Sequence, residues 1–478
     1  MNTEPAVEAK TGILDYSGDH ISRAAYWGFP PLVCLILYWP GFTAWFHKDD
    51  FAWLSLGLGV HSFHDLLAAL VTPFAQGTIR PWSERVFFMA GHALFGMNSL
   101  PYRLVIFGTM FVNLGLVESI GARITGSRAA GFWAALFWVA NSALALPLGW
   151  ACVYNQVLCA FFLLLAFHFL LKFIETGERR FEFREWIVFL AGFGALELNI
   201  IYPALAAVYT FLCAPKYFRR SLWLFLPSIV YFAIHQAVAP APRTGIYGLY
   251  FDGAISRTVL KYWGWSLGPT FAFSSMRPPH FLLTIGLLML TAGAAVVLIV
   301  TARARGAFFL FWWLIAIAPF VPLRNHVTQY YIFIPVIGLC WLGGWAFATA
   351  WRSGGLYRFA GLALAAVYVF TTTPEAVATS QWNHRLTMRS RTLMDGVAQT
   401  ASLHPGSAII LEGVDADLFL STVHHRPFRL LGLERVYLSE ENAHILSARP
   451  DLGDIPDYVV PAGIPQAERV GFKAALDH

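Results

Sequence analysis

The sequence predicts an all-α membrane protein of about eleven transmembrane helices, followed by a small C-terminal α/β domain outside the membrane. Three observations predict it. The composition is too apolar for water, the apolar residues fall in runs of membrane-spanning length, and the tail from residue 375 loses that pattern. Hydrophobic residues make up 57% of the 478 and charged residues 13%, about half the ~25% charge of an ordinary soluble domain. Aromatic residues reach 16%, with 41 Phe and 18 Trp. So few charges cannot cover a water-facing surface. A soluble enzyme is thereby excluded for most of the length, as are a disordered chain, a fibre and a disulfide-rich secreted scaffold. The five cysteines lie in apolar segments without metal-ligand spacing and read as small apolar residues.

Residues 1–23 are polar and predict a cytoplasmic N-terminal segment. The apolar run 24–46 is too long for a signal peptide and has no small-residue cleavage site, so it reads as an uncleaved membrane helix. About twenty apolar residues span the hydrocarbon core as a helix. On that ruler further spans fall at 101–122, 128–148, 151–172, 185–198, 199–214, 220–238, 281–302, 306–322, 329–350 and 356–373. The pair between 185 and 214 is short, and reads as two half-length helices turning at Asn199 to Pro203 or as one broken helix.

Charge sets the orientation. Arg123 and Arg128, Lys172 to Arg184, Lys216 to Arg220, Arg303 with Arg305, and Arg352 with Arg358 fill turns on one side. The positive-inside rule puts that side in the cytoplasm. The N-terminus is then inside, while loops 47–100 and 239–280 and the tail 375–478 are outside. The net charge of +5 thus belongs to topology and gives no sign of nucleic acid. In the tail, Ala408 to Leu411, Val436 to Leu438 and Tyr458 to Val460 read as short strands between helical stretches.

The charges that topology does not explain gather in the outer loops. Asp49 and Asp50 form a carboxylate pair at the outer end of the first helix, where a low-dielectric surface raises a carboxyl pKa and suits a general base. Asp at either position also suits a cap for the next helix. Arg80, Arg85 and Arg324 are cations on the outer side, with Lys48 beside the acids. A guanidinium fork suits phosphate, and snorkelling to lipid head groups is the ordinary alternative. Glu197 lies in an apolar run, and is either functional or a cap on the break between two half-helices. Glu118 is expected to pair with Arg123. His61, His64 and Asp65 have metal-like spacing on one helix face but no third and fourth ligand. His424-His425-Arg426 in the tail reads as surface.

Taken in order, these segments resemble the GT-C glycosyltransferases, multi-spanning enzymes that take sugars from polyprenyl-phosphate carriers. An acidic pair (Asp49-Asp50) opens the first outer loop, and an Arg-Pro element (Arg80-Pro81) follows. A Leu-Phe-Gly-x-Asn stretch (Leu94 to Asn98) then runs into Pro101, Tyr102 and Arg103. Trp150 to Gln156 marks the turn between the third and fourth helices. Gly194-Ala195-Leu196-Glu197 with Pro203 resembles a Lys-Glu…Pro element, and Arg324 with Tyr330-Tyr331 and Pro335 an Arg…Tyr-x-x-Pro element. The resemblance covers roughly 24–375 and is nearest to the protein O-mannosyltransferases and the bacterial relatives of the tetratricopeptide-bearing O-mannosyltransferases. Leu196 stands where the family often has Lys, Arg103 where His is frequent, and the tail lacks tetratricopeptide repeats.

The resemblance implies inverting hexosyl or pentosyl transfer on the outer face of a plasma (bacterial inner) membrane, from a polyprenyl-phosphate-linked sugar to a protein, lipid or glycan acceptor. It implies Asp49 as base, with Asp50 as helper or substitute. Arg80, Arg324, Arg85 and Lys48 become the candidates for the donor phosphate. His92, Tyr102, Arg103, Glu197, His326, Tyr330 and Tyr331 become candidates for sugar or acceptor contacts. No cofactor is expected with certainty, and a divalent metal has no support in the ligand pattern. A transporter of lipid-linked sugars is the alternative, but such folds show inverted repeats and midplane polar residues. Here no repeat is visible and the acids cluster at one face. A non-catalytic membrane scaffold is the third reading.

Overall fold

Apolar runs commit the backbone to helix because lipid offers no partner for an open N–H or C=O. The computed structural model describes residues 22–74, 77–240, 244–268, 288, 292, 295, 304–449, 452 and 455–474. The expected span 281–302 and most of the N-terminal segment lie outside the described residues. Helices stand at each of the other expected spans. Among the described residues, four helical stretches are long and apolar enough to cross a membrane: Ser99–Thr125, Ala151–Thr176, Pro215–Val238 and Gly355–Leu403. A fifth counts if the bent pair Arg128–Ala140 and Ser142–Gly149 is one span, and Arg23–Leu37, Glu197–Cys213 and Ala304–Phe320 are shorter apolar helices. Phe359, Phe370, Trp223 and Ile229 stand exposed on these helices, as an apolar solvent allows.

Several boundaries differ from expectation for local reasons. The first helix, Arg23–Leu37, stops well before residue 46. The span expected at 128–148 bends by 65° at Asn141. Asn141 is extended, and its side-chain oxygen accepts from the Ala143 N–H at 3.0 Å, starting a new helical turn. The Tyr38 hydroxyl donates to the carbonyls freed at Val139 (2.9 Å) and Asn141 (2.8 Å). The ambiguous pair resolves into two helices, Arg179–Gly192 and Tyr202–Cys213, joined by the 3₁₀ turn Glu197–Ile201.

The core forms where Ser99–Thr125, Arg128–Ala140, Tyr154–Thr176 and Val336–Ser353 pack together. Small residues allow close approach. A Cβ on Gly131 would sit 2.2 Å from the Glu118 carbonyl, and one on Gly344 2.4 Å from the Ala130 carbonyl. Buried indoles find carbonyl acceptors, Trp138 at Phe333 (3.0 Å) and Trp341 at Val117 (2.9 Å). Arg123 pairs with Glu175 rather than with Glu118, whose carboxylate is buried without a partner among the described residues.

The helix Gly355–Leu403 runs for 49 residues, past the expected domain start at 375, and delivers the chain to the tail. There β1 (Ala408–Glu412), β2 (Val436–Leu438) and β3 (Arg469–Lys473) form a parallel sheet in the order β2-β1-β3. Ile409 faces Val436 on one side and Val470 on the other. The third strand is therefore not at 458–460. That run holds the end of a 3₁₀ turn and a single bridge from Val459 to Leu438.

Candidate active site

The loop 47–100 is fixed to the helices it joins. Arg103 is fully buried and donates to the carbonyls of Ala44 (3.1 Å), Trp45 (2.7 Å) and Leu148 (3.4 Å). It therefore holds backbone and offers nothing to a sugar. Tyr102 is likewise buried, with its hydroxyl on the Gly96 carbonyl at 3.2 Å and its ring against Phe46. His92 sits partly exposed on the helix Phe87–Phe95 and bonds to none of the other candidates.

Successive helical residues point about 100° apart, so at the start of the short helix Asp50–Leu54 one acid turns inward and the other outward. Asp50 is fully buried. Its two oxygens accept from the backbone N–H of His47 (3.1 Å) and of Cys152 (2.7 Å). Those bonds tie the loop to the Trp150 turn, and they leave Asp50 no role as a helper base. Asp49 is half exposed, and its Oδ1 accepts from Nε2 of His425, 2.9 Å away in the tail. The tail histidine, expected at the surface, is thus part of the site. No feature of the His424-His425-Arg426 run announced it. Burial favours protonation of Asp49, but the His425 hydrogen bond and charge, with Lys48 and His47, outweigh it and hold the carboxyl below its usual range.

Lys48 adopts φ +52°, the left-handed region that non-glycine residues rarely enter. Its N–H is held by the Ser421 carbonyl at 2.6 Å. Its ammonium lies 5.1 Å from the Trp150 ring and 5.6 Å from the Trp382 ring, and it joins no ion pair among the described residues. Burial lowers its pKa, opposed by Asp49, Asp417 and Asp50.

A second strap closes the site. Trp82 N–H donates to the Gly194 carbonyl (2.9 Å), the Trp82 indole to Ala191 (3.0 Å), and Ser83 to Ala195 (2.6 Å). The strap docks the Arg80-Pro81 element on the Gly194 to Glu197 element. Arg80 then donates through Nε to both Glu197 oxygens (3.1 and 2.8 Å) and through Nη1 to the buried Glu84 (2.6 Å). Burial works against the Arg80 charge, but Glu197 and Glu84 outweigh it and hold the guanidinium pKa above its usual value. Arg85 is buried, with Nη2 on the carbonyls of Thr78 (3.0 Å) and Thr72 (3.4 Å) and its guanidinium 4.5 Å from the Trp53 ring. Arg85 secures the loop and is not a phosphate ligand in this arrangement.

The third side comes from the loop after residue 239 and from the segment 326–331. Tyr247 packs 4.6 Å from His326, whose Nε2 is 3.3 Å from the Tyr330 hydroxyl, while Tyr331 stacks on Phe320. Burial pushes the Tyr247 hydroxyl up, Asp49 pushes it further, and Arg80 pulls it back, so Tyr247 lies within electrostatic reach of both. Arg324 stands apart, paired with Asp252 over the Tyr250 ring. The structure thus joins Arg80 to Glu197, links Tyr247, His326, Tyr330 and Tyr331 in a chain of ring and hydroxyl contacts, and sets Tyr247 within electrostatic reach of Asp49 and Arg80. It leaves Asp50, Arg85, Tyr102 and Arg103 in structural duty.

No three His, Cys, Asp or Glu side chains among the described residues are placed to hold a metal. His64 points outward, and Asp65 takes the His61 N–H at 3.1 Å. An apolar cavity of about 270 Å³ lies between the helices Val336–Ser353 and Gly355–Leu403, and none of the candidate residues lines it.

No family model matches the chain, and no curated protein matches it. Solved structures do. One is the Archaeoglobus fulgidus oligosaccharyltransferase in complex with Zn and sulfate, at 12% identity and a TM-score of 0.47 over 84% of this chain and 61% of that one. Another is ArnT from Cupriavidus metallidurans bound to undecaprenyl phosphate, at 14% identity and 0.46 over 92% and 90%. A third is the Archaeoglobus fulgidus oligosaccharyltransferase AglB with an inhibitory peptide and a dolichol-phosphate, at 13% and 0.45 over 84% and 63%. The chain spans less than two thirds of the length of the oligosaccharyltransferases it matches.

Proposed function

We propose that the chain is an integral membrane glycosyltransferase of GT-C type. It moves a sugar from a polyprenyl-phosphate carrier to an acceptor hydroxyl on the outer face of a bacterial inner membrane, inverting the anomeric centre. The observation that carries this reading is Asp49, a half-exposed and readily ionised carboxylate beside an ammonium, Lys48, that has no carboxylate partner among the described residues.

The acceptor oxygen attacks the anomeric carbon, Asp49 takes the acceptor proton, and the bond to phosphate breaks. The departing polyprenyl phosphate keeps the electron pair, so negative charge develops there. Fixed positive charge at that point is the largest help a protein gives. Lys48 is the first choice for this role, because two carboxylates already hold Arg80 and Asp252 holds Arg324. Tyr247, His326 and Tyr330 offer ring faces and hydroxyls to the sugar or the acceptor.

The test is direct. The purified protein is supplied with a polyprenyl-phosphate sugar and a membrane acceptor fraction, and release of polyprenyl phosphate is followed. Wild type should release it, and Asp49→Asn should release it about a hundredfold or more slowly. Absence of release from wild type with every acceptor fraction rejects the reading, and carrier movement across vesicles without transfer would establish the transporter instead.

A further inference from the structure

We propose that His425 is a positioning residue for Asp49, so that the C-terminal tail supplies part of the active site. The proposal rests on the glycosyltransferase reading above and adds a residue from the opposite end of the chain. A carboxylate serving as base needs one oxygen turned to the acceptor and a side chain that does not swing. His425 meets the second need by donating from Nε2 to Oδ1 at 2.9 Å, while Oδ2 has no partner among the described residues. The imidazole is rigid and only 25% exposed, so its donor stays in one place.

The tail is built to hold that ring there. The Ser421 carbonyl takes the Lys48 N–H at 2.6 Å, and Thr422 donates to Ser390 on the long helix at 2.7 Å. The turn Val423–His425 then ends at Arg426, whose φ is +49°. Arg426 lies 5.2 Å from the Tyr458 ring and donates to the Asp457 carbonyl at 3.1 Å, and the Tyr458 hydroxyl bonds the His424 carbonyl. Among the described residues, Lys48 and Arg426 are the two non-glycine positions with positive φ. They flank this one contact, one on each side. Backbone strain of that kind persists only where the surroundings overdetermine it, and it gathers at functional sites.

Without His425 the Asp49 side chain is free to rotate, and the base is less often aimed. A misplacement of about 1 Å near the chemistry costs on the order of a hundredfold. His425→Ala should therefore lower kcat between about tenfold and a hundredfold and leave the KM for the donor unchanged, since Lys48 is untouched. His425→Gln keeps an N–H donor at similar reach and should recover most of the loss, whereas His425→Leu, of similar size without a donor, should not. In an Asp49→Asn background the three variants should differ from one another by less than about twofold, because the interaction has one partner left.

Transfer kinetics on the full-length chain decide the matter. Equal kcat for His425→Gln and His425→Leu overturns the proposal, whether or not His425→Ala gives a monodisperse protein. A lower kcat in all three that persists equally in the Asp49→Asn background also overturns it, since the effect would not pass through Asp49. Absence of transfer by wild type is a different result, and it removes the glycosyltransferase reading itself.

Discussion

His425 Nε2 stands 2.9 Å from Asp49 Oδ1, across 376 residues of sequence. The bond joins the start of the short helix Asp50–Leu54 to the turn Val423–His425 in the tail. It also lowers the pKa of Asp49. Burial alone would raise that pKa, yet the His425 hydrogen bond and charge, with Lys48 and His47, bring it down.

A pH dependence follows. Asp49 accepts a proton only when ionised, so transfer should persist as pH falls and fail where Asp49 protonates, below the ordinary carboxylate range. In His425→Ala the stabilising bond is gone and burial remains. The pKa then rises, and the acid limb of kcat/KM moves to higher pH. Profiles from about pH 3 to about pH 8 check this, since an unperturbed carboxyl titrates at ~4. An acid limb that stays put in the variant would count against the assignment.

The two adjacent acids should fail in different ways. Asp49→Asn keeps the shape of a half-exposed side chain, so thermal stability should barely move while transfer falls by about a hundredfold or more. Asp50→Asn puts an amide where two backbone N–H groups converge on buried oxygens, at His47 and Cys152. One of them loses its acceptor, which costs about 1–3 kcal/mol. Melting curves in detergent together with transfer rates separate the two. A stable but inactive Asp50→Asn would show that the roles have been exchanged.

Lys48 carries a strained backbone and an ammonium that a substitution series can pull apart. Lys48→Gly relieves the positive φ but removes the charge. It should fold at least as well as wild type and lower kcat/KM for the donor by about tenfold, the scale of one charge-assisted contact. Lys48→Arg keeps the charge and should stay within a few fold. A kcat/KM for the donor unchanged in Lys48→Gly would move the phosphate site to Arg80 or Arg324.

Much of the helical part was legible because lipid leaves the backbone one solution, so apolar runs of the right length became helices. The strands at Ala408 and Val436 were legible for a similar reason, as short apolar runs between polar segments. The third strand, Arg469–Lys473, has no fully buried residue and therefore no apolar signature. The bend at Asn141 turns on a side-chain bond that periodicity does not encode. Within the site the order of the elements could be read, but the partners could not. Which of Asp49 and Asp50 faces outward depends on helical phase, and whether Arg80, Arg85 or Lys48 is free depends on which carboxylates and carbonyls the fold brings to each.

The docking of the Arg80 strap supplies the last prediction. Gly194 lies under the Trp82 ring, and a Cβ there would stand 2.2 Å from two indole atoms. No rotamer relieves this cheaply, because the same indole donates to Ala191 and the Trp82 N–H donates to Gly194 itself. Gly194→Ala should therefore lift Trp82 from its seat and carry Pro81 and Arg80 with it. Arg80 would then leave Glu84, which is 1% exposed and accepts from that guanidinium at 2.6 Å. An uncompensated buried charge costs about 3–5 kcal/mol, so the variant should melt well below wild type and lose transfer. Adding Trp82→Ala removes the clash and should recover part of the stability. No recovery in the double variant would mean that Gly194 is needed for its backbone rather than for the space it leaves to the indole.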